Sequence, residues 1–371
     1  MSDSPVSLIP AVHDLLSANV ARLLIEADLQ PVQGHRFQPT GFPDLGAATY
    51  TLPNGTEMLL VESPQSVANR LESVCWDDAS QDLDPLLRGL PYVRVRRGDA
   101  FLTSSILEFH RLNSPYVLEA ENWAFLRGFV ADLFPDDKSL EGICKAGDEK
   151  LRERLKDHFS ESSGPVDIRG LARAVFKYDP NCLVHGLFLS RDYLAGGRLR
   201  LSRLLSGFIE AADVRPAESG GVKFDRVDPS GDTKLGFGHV PFHRTEFTAG
   251  QITAYFNLDL ATLRGYGLPD EANALLVGLA LWKVERFLGG ALRLRTACDL
   301  RSVGTRVTQP SGFRVPSDLD AALPGLIAEC ASSFAKPPVT EVRWSGVTKA
   351  RKPKAPVATP DGDDVADDDD Q

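Results

Sequence analysis

Alternation of hydrophobic and polar residues predicts four β-strands in this chain. In three of them apolar side chains fall on every second position, so one face of each strand is expected to be buried and the other polar. The second strand is almost wholly apolar, which is typical of a strand in the middle of a sheet. The predicted strands are Arg22–Val32, Cys182–Ser190, Ile252–Leu260 and Ala291–Arg301.

Apolar residues at helical spacing predict a helix after the first strand and another after the third. The first helix begins with Ser63 as N-cap and Pro64 at the first helical position. The other begins at Pro269, is followed by acidic residues that suit the positive end of the helix dipole, and ends at Gly289. A third helix is predicted over Arg198–Ala212, where large apolar residues recur on one helical face.

The predicted order is strand, helix, strand, then strand, helix, strand, which is the ferredoxin-like or RRM-like βαββαβ pattern of an α+β fold. Because three strands have a polar face, helices should cover only one side of the predicted sheet, which we call the palm. Proteins of this architecture that bind RNA hold it on the other side or on the loops at its edge. Here the open face carries carboxylates on the first and third strands, so we expect RNA to follow the loops.

Two long insertions interrupt the palm. The first is mainly helical, with a basic strand pair followed by helical segments at Glu119–Phe134, Glu149–Phe159 and Val166–Phe176. The second is predicted to form a projecting thumb-like hairpin, because Asp-Pro-Ser-Gly at 228–231 places proline at the second position of a turn. The predicted divisions are palm at 1–76, 181–219 and 249–335, the helical insertion at 77–180, the hairpin at 220–248, and a linker with an acidic tail at 336–371, in which Thr340–Trp344 is a candidate edge strand.

Composition is that of a chain that can bury a core, with 43% hydrophobic and 25% charged residues among 371. No apolar run approaches the ~20 residues of a membrane span, and the first residues do not resemble a signal peptide, so a soluble, cytoplasmic protein is expected. The five cysteines lack metal-ligand spacing, which indicates reduced thiols in the core.

The formal net charge of −10 argues against a nucleic-acid binder only until its distribution is considered. Seven aspartates lie in the last eleven residues, which leaves a net charge of −3 on residues 1–360. Such a run of like charges is typical of a solvated tail. Any contact with a polyanion must therefore come from local arginine clusters.

Five stretches resemble one family in particular: the RAMP-superfamily backbone subunit of type I-G (formerly I-U) CRISPR effector complexes, called Cascade. Several of the stretches are long, so the resemblance is more specific than a short motif, and it covers most of the chain outside the helical insertion and the tail. The stretches are ADLQPVQGHRFQPTGFPDLG (27–46), LLVESPQSVANRLESVCWD (59–77), VHGLFLSRDYLAGGRLRLSRLLSGFIEA (184–211), HVPFHRTEFTA (239–249) and ITAYFNLDLATLRGYGL (252–268).

The resemblance implies a subunit that polymerises along a CRISPR guide RNA and presents it for pairing with a target DNA strand. The palm would lie under the guide, and a thumb from the next copy would displace nucleotides at intervals. The implied partners are further copies of this chain, a large subunit, a fused RAMP subunit that processes and caps the guide, and a recruited helicase-nuclease. No cofactor is implied.

Candidate RNA-binding residues lie in the loop after the first strand, at the start of the first helix, beside a glycine-containing turn and on the fourth strand. Arginine suits phosphate, histidine and phenylalanine can stack on a splayed base, and a helix N-terminus attracts anions. The alternatives are core packing for Phe37, helix capping at 65–70 and solvated arginines elsewhere. The candidates are His35, Arg36, Phe37, Gln38, Gln65, Ser66, Asn69, Arg70, Arg191, Arg198, Arg293 and Arg295.

The predicted hairpin mixes charged and aromatic residues, as a thumb that wedges between bases should. The alternative is a plain surface hairpin, which would less readily expose so many aromatic rings. The thumb candidates are Lys223, Phe224, Arg226, Lys234 and Phe237.

Enzyme interpretations are weaker. Pro241 lies between His239 and His243, which forbids the helical spacing of a zinc site, and no third ligand is indicated. Some RAMP backbone subunits of other CRISPR types cut RNA with a metal and a loop aspartate, for which Asp44 is the candidate, although a rigid turn explains its surroundings equally well. We expect no catalysis and no metal. A metal-dependent ribonuclease and a stand-alone single-strand RNA binder remain the alternatives.

Overall fold

The computed structural model describes residues 8–18, 20–42, 46–145, 151–161, 167–290 and 292–346. Asp44 and the acidic tail lie outside these ranges. Within them, no helix is both long enough and apolar enough to cross a bilayer. All five cysteines are buried and unbonded to one another, which confirms the sequence-based expectation of core thiols.

The described residues form helices and strands in nearly equal measure, so the α+β class is confirmed. The helices are α1 Leu8–Ser17, α2 Pro64–Ser73, α3 Pro115–Leu118, α4 Ala124–Leu133, α5 Lys138–Lys145, α6 Leu151–Glu161, α7 Ile168–Tyr178, α8 Asn181–His185, α9 Leu260–Gly265, α10 Asp270–Gly290 and α11 Leu319–Glu329. The strands are β1 Arg22–Pro31, β2 Gly41–Phe42, β3 Gly46–Ala47, β4 Thr49–Thr51, β5 Glu57–Glu62, β6 Trp76–Asp77, β7 Asp82–Leu83, β8 Tyr92–Arg97, β9 Ala100–Ser104, β10 Leu187–Leu189, β11 Leu199–Leu201, β12 Leu205–Ala212, β13 Arg215–Lys223, β14 Val240–Thr248, β15 Gln251–Asp259, β16 Arg293–Arg295, β17 Cys298–Gln309 and β18 Val339–Arg343.

Seven strands form the main sheet in the order β16-β17-β1-β15-β12-β5-β4, and every neighbouring pair is antiparallel. Arg22 of β1 is opposite Asp259 of β15, and Leu205 of β12 is opposite Leu258. We call this the Arg22 end of the sheet. The opposite end, where β1 finishes and where Ala212 of β12 is paired with Gln251 of β15, is the Pro31 end.

The core lies on one face of this sheet, under α2 and α10. Every second residue of β1 and β15 is buried there, as the alternation predicts, and α10 contributes the fully buried Trp282 and Phe287. Residues such as Leu23 and Phe256 are at most 3% exposed. The pattern in the sequence therefore correctly identified the buried face of both strands.

The opposite face of the sheet is only partly exposed, and Arg306 on this face is paired with carboxylates. Arg306 binds Asp28 (2.7 Å) and Glu26 (2.5 Å), and its hydrogen bond lowers the pKa of Asp28. Phe208 and Tyr255 stack with ring centroids 5.0 Å apart. The carboxylates of this face repel a polyanion, whereas the stacked rings do not.

Two predicted elements near the middle of the chain were wrong. The predicted strand Cys182–Ser190 is the short helix α8 followed by β10, which pairs with β11 outside the main sheet. The predicted helix Arg198–Ala212 is β11 and β12. Its apolar residues satisfy strand alternation as well as helical spacing, and β5 and β15 pair with β12 on both edges.

Gly207 shows why β12 fits its place between β5 and β15. A Cβ there would lie 2.8 Å from the Phe256 ring and 2.9 Å from the Tyr255 carbonyl oxygen. Those distances are well inside van der Waals contact, so only glycine allows this close approach of neighbouring strands.

The predicted fourth strand is two strands, β16 and β17, joined by a turn in which Ala297 has a φ of +57°. A left-handed residue reverses the chain, which alternation alone does not reveal. The predicted faces remain correct at Leu292, Leu294, Cys298 and Leu300, which are buried. Ala291 lies outside the described residues.

The helical insertion contains α3 to α7 and strands β8 and β9, which form a second sheet with β18 from the end of the described chain. Strand β18 pairs in parallel with β8, from Val339 opposite Tyr92 to Arg343 opposite Arg96. This confirms the candidate edge strand near the end of the described chain.

A buried polar cluster joins the insertion to the core of the main sheet. Arg111 binds both carboxylate oxygens of Glu72 on α2, at 2.5 and 2.8 Å. Ser105 donates to Asp179 at 2.6 Å, and Lys283 on α10 donates to the Leu71 carbonyl at 3.1 Å. Because these charges are buried, they fix how the insertion packs on α2 and α10.

His185, at the end of α8, makes the stability of this cluster pH-dependent. Its ring is 2% exposed with neither nitrogen hydrogen-bonded, and burial, aided by Lys283 and Arg111, lowers its pKa well below the ordinary value. Below about pH 6.5 the unfolded chain takes up a proton that the folded chain refuses, so the free energy of unfolding falls by up to about 1.4 kcal/mol per pH unit. Urea unfolding at several pH values between 7.5 and 5.5 would measure this.

The His185→Leu variant should show a flatter dependence on pH over the same range, because the titrating ring is gone. His13→Gln, at an exposed position on α1, is the matched control and should keep the slope of the wild type. An unchanged slope in His185→Leu would contradict the assignment.

Candidate functional site

The structure separates the predicted RNA-binding residues into two groups at opposite ends of the main sheet. The loop after β1 lies at the Pro31 end, where Phe37 and Phe247 exchange backbone hydrogen bonds of 2.9 Å. The segment that contains Arg191 and Arg198 lies at the Arg22 end, where the Asp259 amide donates to the Leu204 carbonyl. The eight residues of β12 between them span about 23 Å. Nothing in the spacing of these residues along the chain indicated this separation.

The loop at the Pro31 end presents His35 and Arg36 to solvent. Gly34, with a φ of +69°, turns the chain just before them. Phe37 is 1% exposed, so its ring packs in the core and does not face the solvent. The prediction that Phe37 stacks on a base is therefore corrected to the packing alternative. Beside this loop, His35, Gln251 and Arg301 help line a cleft of about 560 Å³.

Glu62, at the end of β5, is the centre of an ion-pair network behind this loop. Its side chain is fully buried, and its two oxygens bind Arg70 Nε (3.3 Å) and Arg295 Nη2. The Ser66 hydroxyl also donates to Glu62. The sequence did not indicate that Glu62 is buried, because a glutamate at the end of an apolar strand is usually a surface residue.

The two arginines of this network are held by backbone carbonyls as well. Arg295 Nη1 donates to the carbonyls of Gln38 (3.0 Å) and Val61 (3.2 Å), and Arg70 donates to the carbonyls of Arg293 and Leu294. Burial lowers the pKa of both guanidinium groups and raises the pKa of the neighbouring Cys298 thiol to about 11. These side chains therefore hold the loop after β1, strand β5, helix α2 and strand β16 together.

The start of α2 lies next to the network and has exposed polar side chains. Ser63 caps the helix as predicted, since its hydroxyl accepts from the Ser66 amide at 3.3 Å. Gln65 and Asn69 are exposed and hydrogen-bonded to each other at 3.3 Å. Arg293, on the same side of the sheet end, is exposed and makes no ion pair within the described chain.

A long hairpin, β13 with β14, continues from β12 and β15 at the Pro31 end. Its paired strands run for nine residues each, from Arg215 opposite Thr248 to Lys223 opposite Val240, which is about 27 Å. It begins five residues before the predicted hairpin. All five thumb candidates are exposed: Lys223, Phe224, Arg226, Lys234 and Phe237.

The tip of this hairpin exposes more apolar surface than the sequence analysis recognised. Phe224 is 76% exposed and Phe237 52%, and Val227 and Leu235, which the sequence analysis missed, are 95% and 73% exposed. The Asp225 carboxylate orders the tip by accepting from the amides of Asp228 (3.0 Å), Val227 (2.8 Å) and Gly238 (2.9 Å), contacts that lower its pKa. An ordered apolar tip of this kind marks an interaction surface.

At the Arg22 end, Arg191 and Arg198 have different environments. Arg191 lies 3.7 Å from Glu119 of the insertion, whereas Arg198 donates from Nε to the Ala195 carbonyl at 2.9 Å and makes no ion pair with the residues that the structure describes. The amides of Gly196 and Gly197 donate to backbone carbonyls of their own turn. These two amides are therefore not free to bind a phosphate.

The described residues contain no group of three or more His, Cys, Asp or Glu side chains placed to hold a metal ion. His243 binds Glu218 at 2.6 Å, and His239 Nδ1 accepts from the Asp225 amide at 3.0 Å. Both histidines therefore have local partners in the hairpin.

Comparison with known proteins gives one family. Residues 23–216 match the family described as CRISPR-associated protein GSU0053. Similar solved structures include a chain of "CRISPR RNA-guided surveillance complex, pre-nicking", at 16% identity and a TM-score of 0.38 over 77% of each chain. Another is Csc2 of Thermofilum pendens, at 11% identity and a TM-score of 0.30 over 89% of this chain and 81% of that one. No curated protein matches.

Proposed function

The chain belongs to the family of CRISPR-associated protein GSU0053, and we propose that it is the guide-RNA-binding backbone subunit of a type I-G Cascade complex. Several copies polymerise along the guide and present it for pairing with target DNA. The observation that carries this proposal is the convergence, at the Pro31 end, of an exposed loop, a helix start and a projecting hairpin. We call the exposed polar residues of this end the rim: His35, Arg36, Gln65, Asn69 and Arg293. The rim suits the binding of a nucleic-acid strand, and the apolar tip of the hairpin suits contact with another copy.

In this proposal the main sheet is the RRM-like palm. Strands β17, β1, β15 and β12 lie side by side, α2 comes between β1 and β12 in the chain, and α10 comes between β15 and β17. This order and the cover of helices on one face support a ferredoxin-like arrangement.

The exposed residues of the rim are the proposed contacts to the guide. Arg293 would bind phosphate, and the half-exposed Arg36, which lies 3.5 Å from Glu246, would exchange that carboxylate for a phosphate. His35 would stack on a base, and Gln65 and Asn69 would hydrogen-bond to the backbone of the guide. Gln38 stays a candidate at the edge of the same loop. Ser66, Arg70 and Arg295 bind Glu62, so we revise their role from ligands of phosphate to residues that hold the rim in place.

The hairpin is the proposed thumb. Its basic residues would contact the guide, and its exposed apolar tip would be covered in the assembly, because several large apolar side chains in water are unfavourable. The further proposed partners are the large subunit, the fused RAMP subunit and the helicase-nuclease. We propose a non-catalytic, cytoplasmic subunit.

Purification of the chain with its partner subunits tests the proposal directly. Native mass spectrometry should find several copies of the chain on each guide RNA. A monomer without bound RNA would contradict the proposal. Evenly spaced cuts in complementary RNA with Mg²⁺, lost in Asp44→Ala, would instead favour the ribonuclease.

A further inference from the structure

The hairpin formed by β10 and β11, with the turn between them, lies at the Arg22 end of the sheet, away from the rim. It carries arginines that have no ion-pair partner among the described residues. We call residues 187–203 the arginine hairpin. Its sequence contains four arginines and one carboxylate, Asp192, which binds Lys156 at 2.8 Å. Arg191 is near Glu119, but Arg198, Arg200 and Arg203 make no ion pair anywhere in the described ranges.

One face of the arginine hairpin is buried and the other is open. Leu187, Leu189, Leu199 and Leu201 point inward and are at most 5% exposed. On the outer face Phe188 is 54% exposed and is directly opposite Arg200 in the β10–β11 pairing. Side chains of directly opposed residues lie on the same face, so an aromatic ring and a guanidinium group are neighbours in solvent.

The arginine hairpin is also firmly held, so its outer face has a fixed shape. The Asn113 amide group donates to the Ser190 hydroxyl at 3.0 Å, and the Ser190 amide donates back to Asn113 at 3.2 Å. Arg111, already bound to Glu72, donates to the Gly186 carbonyl at 3.1 Å. A fixed aromatic ring costs less entropy on binding than a mobile one.

We propose that the arginine hairpin is a second contact for single-stranded nucleic acid, in which Phe188 stacks on a base and Arg198 and Arg200 bind the flanking phosphates. Stacking platforms flanked by cations are how proteins hold single strands without reading their sequence. The site lies beyond the Arg22 end of β12 and the rim beyond its Pro31 end, and the eight residues of β12 between them span about 23 Å. It therefore meets a different part of the guide, or the target strand, and this inference rests on the proposed function.

Photocrosslinking in the assembled complex identifies the strand. One sample carries 4-thiouridine in the guide RNA and the other carries 4-thiothymidine in the complementary DNA strand. A crosslink to the peptide that contains Phe188 is expected in one of the two samples, and the sample in which it occurs names the strand.

Variants measure the contribution of each side chain to binding of that strand. Arg200→Glu should weaken binding about 10-fold, and Arg198→Ala with Arg200→Ala should reduce the slope of log K against log salt by about 1.4. Phe188→Ala should weaken binding about 5-fold, whereas Phe188→Trp should retain it. Arg97→Glu, an exposed arginine on β8 without an ion pair in the described chain, is the control for charge reversal and should bind normally.

Two outcomes would overturn the inference while the proposed function stands. The first is normal guide retention with no crosslink to the arginine hairpin and binding changed less than 2-fold in Arg200→Glu. The second is the loss of a protein partner in Arg200→Glu with nucleic-acid binding intact. If the wild type retains no guide RNA, the proposed function fails, and crosslinking of the purified chain to a single-stranded oligonucleotide then decides the arginine hairpin alone.

Discussion

Replacing Glu62 by alanine is expected to lower the free energy of unfolding by about 3 kcal/mol or more, which is the usual cost of removing one partner from a buried ion pair. Glu62 is fully buried, and both Arg70 and Arg295 bind its carboxylate. Without it the two guanidinium groups, which are only about a quarter exposed, would face each other with no anion between them. Urea unfolding followed by circular dichroism measures the change.

Two variants of the same strand calibrate this result. Glu62→Gln keeps a hydrogen-bond acceptor and should cost less than Glu62→Ala. Glu57→Ala, at the exposed start of β5, removes only a hydrogen bond from Thr51 and should change the stability by less than about 0.5 kcal/mol. Equal effects of Glu57→Ala and Glu62→Ala would show that the network does not stabilise the fold.

The Glu62 network also links stability to the proposed function. Its arginines hold the Gln38 carbonyl and strand β16, which lie beside the exposed residues of the rim. Glu62→Ala should therefore weaken guide retention at temperatures where the chain is still folded, because the contacts lose their fixed geometry.

The double variant Phe224→Ser, Phe237→Ser is expected to weaken association between copies by about 100-fold or more. Each large apolar side chain that becomes buried contributes about 1.5–3 kcal/mol, and about 1.4 kcal/mol corresponds to a factor of ten in affinity. Both rings are more than half exposed at the hairpin tip, so their replacement should leave the melting temperature of the free chain unchanged. Native mass spectrometry of the assembled particle measures the loss of copies.

Phe109→Ser is the matched control for this variant. Phe109 is 68% exposed, close to the value for Phe224, but lies in the insertion far from the hairpin in sequence. It should leave the copy number unchanged. Normal assembly by the double hairpin variant would contradict the role of the apolar tip as a contact between copies.

The sequence by itself determined the elements whose burial depends on local pattern. Strands β1 and β15, helix α10 and the hairpin were predicted because each has one apolar face or a turn with its own chemistry. It also gave the family resemblance, which the match over residues 23–216 confirmed as CRISPR-associated.

Only the tertiary structure decided the rest, because the deciding partners are distant in the sequence. The apolar residues of 199–212 fit a helix or a strand, and pairing with β5 and β15 selected the strand. Nothing in the sequence distinguishes Arg70 from Arg200. In the structure the buried Glu62 binds Arg70, whereas Arg200 has no ion-pair partner among the described residues. How firmly the carboxylates of the fold hold an arginine decides how available it is to a nucleic acid, and that depends on packing between residues far apart in the chain.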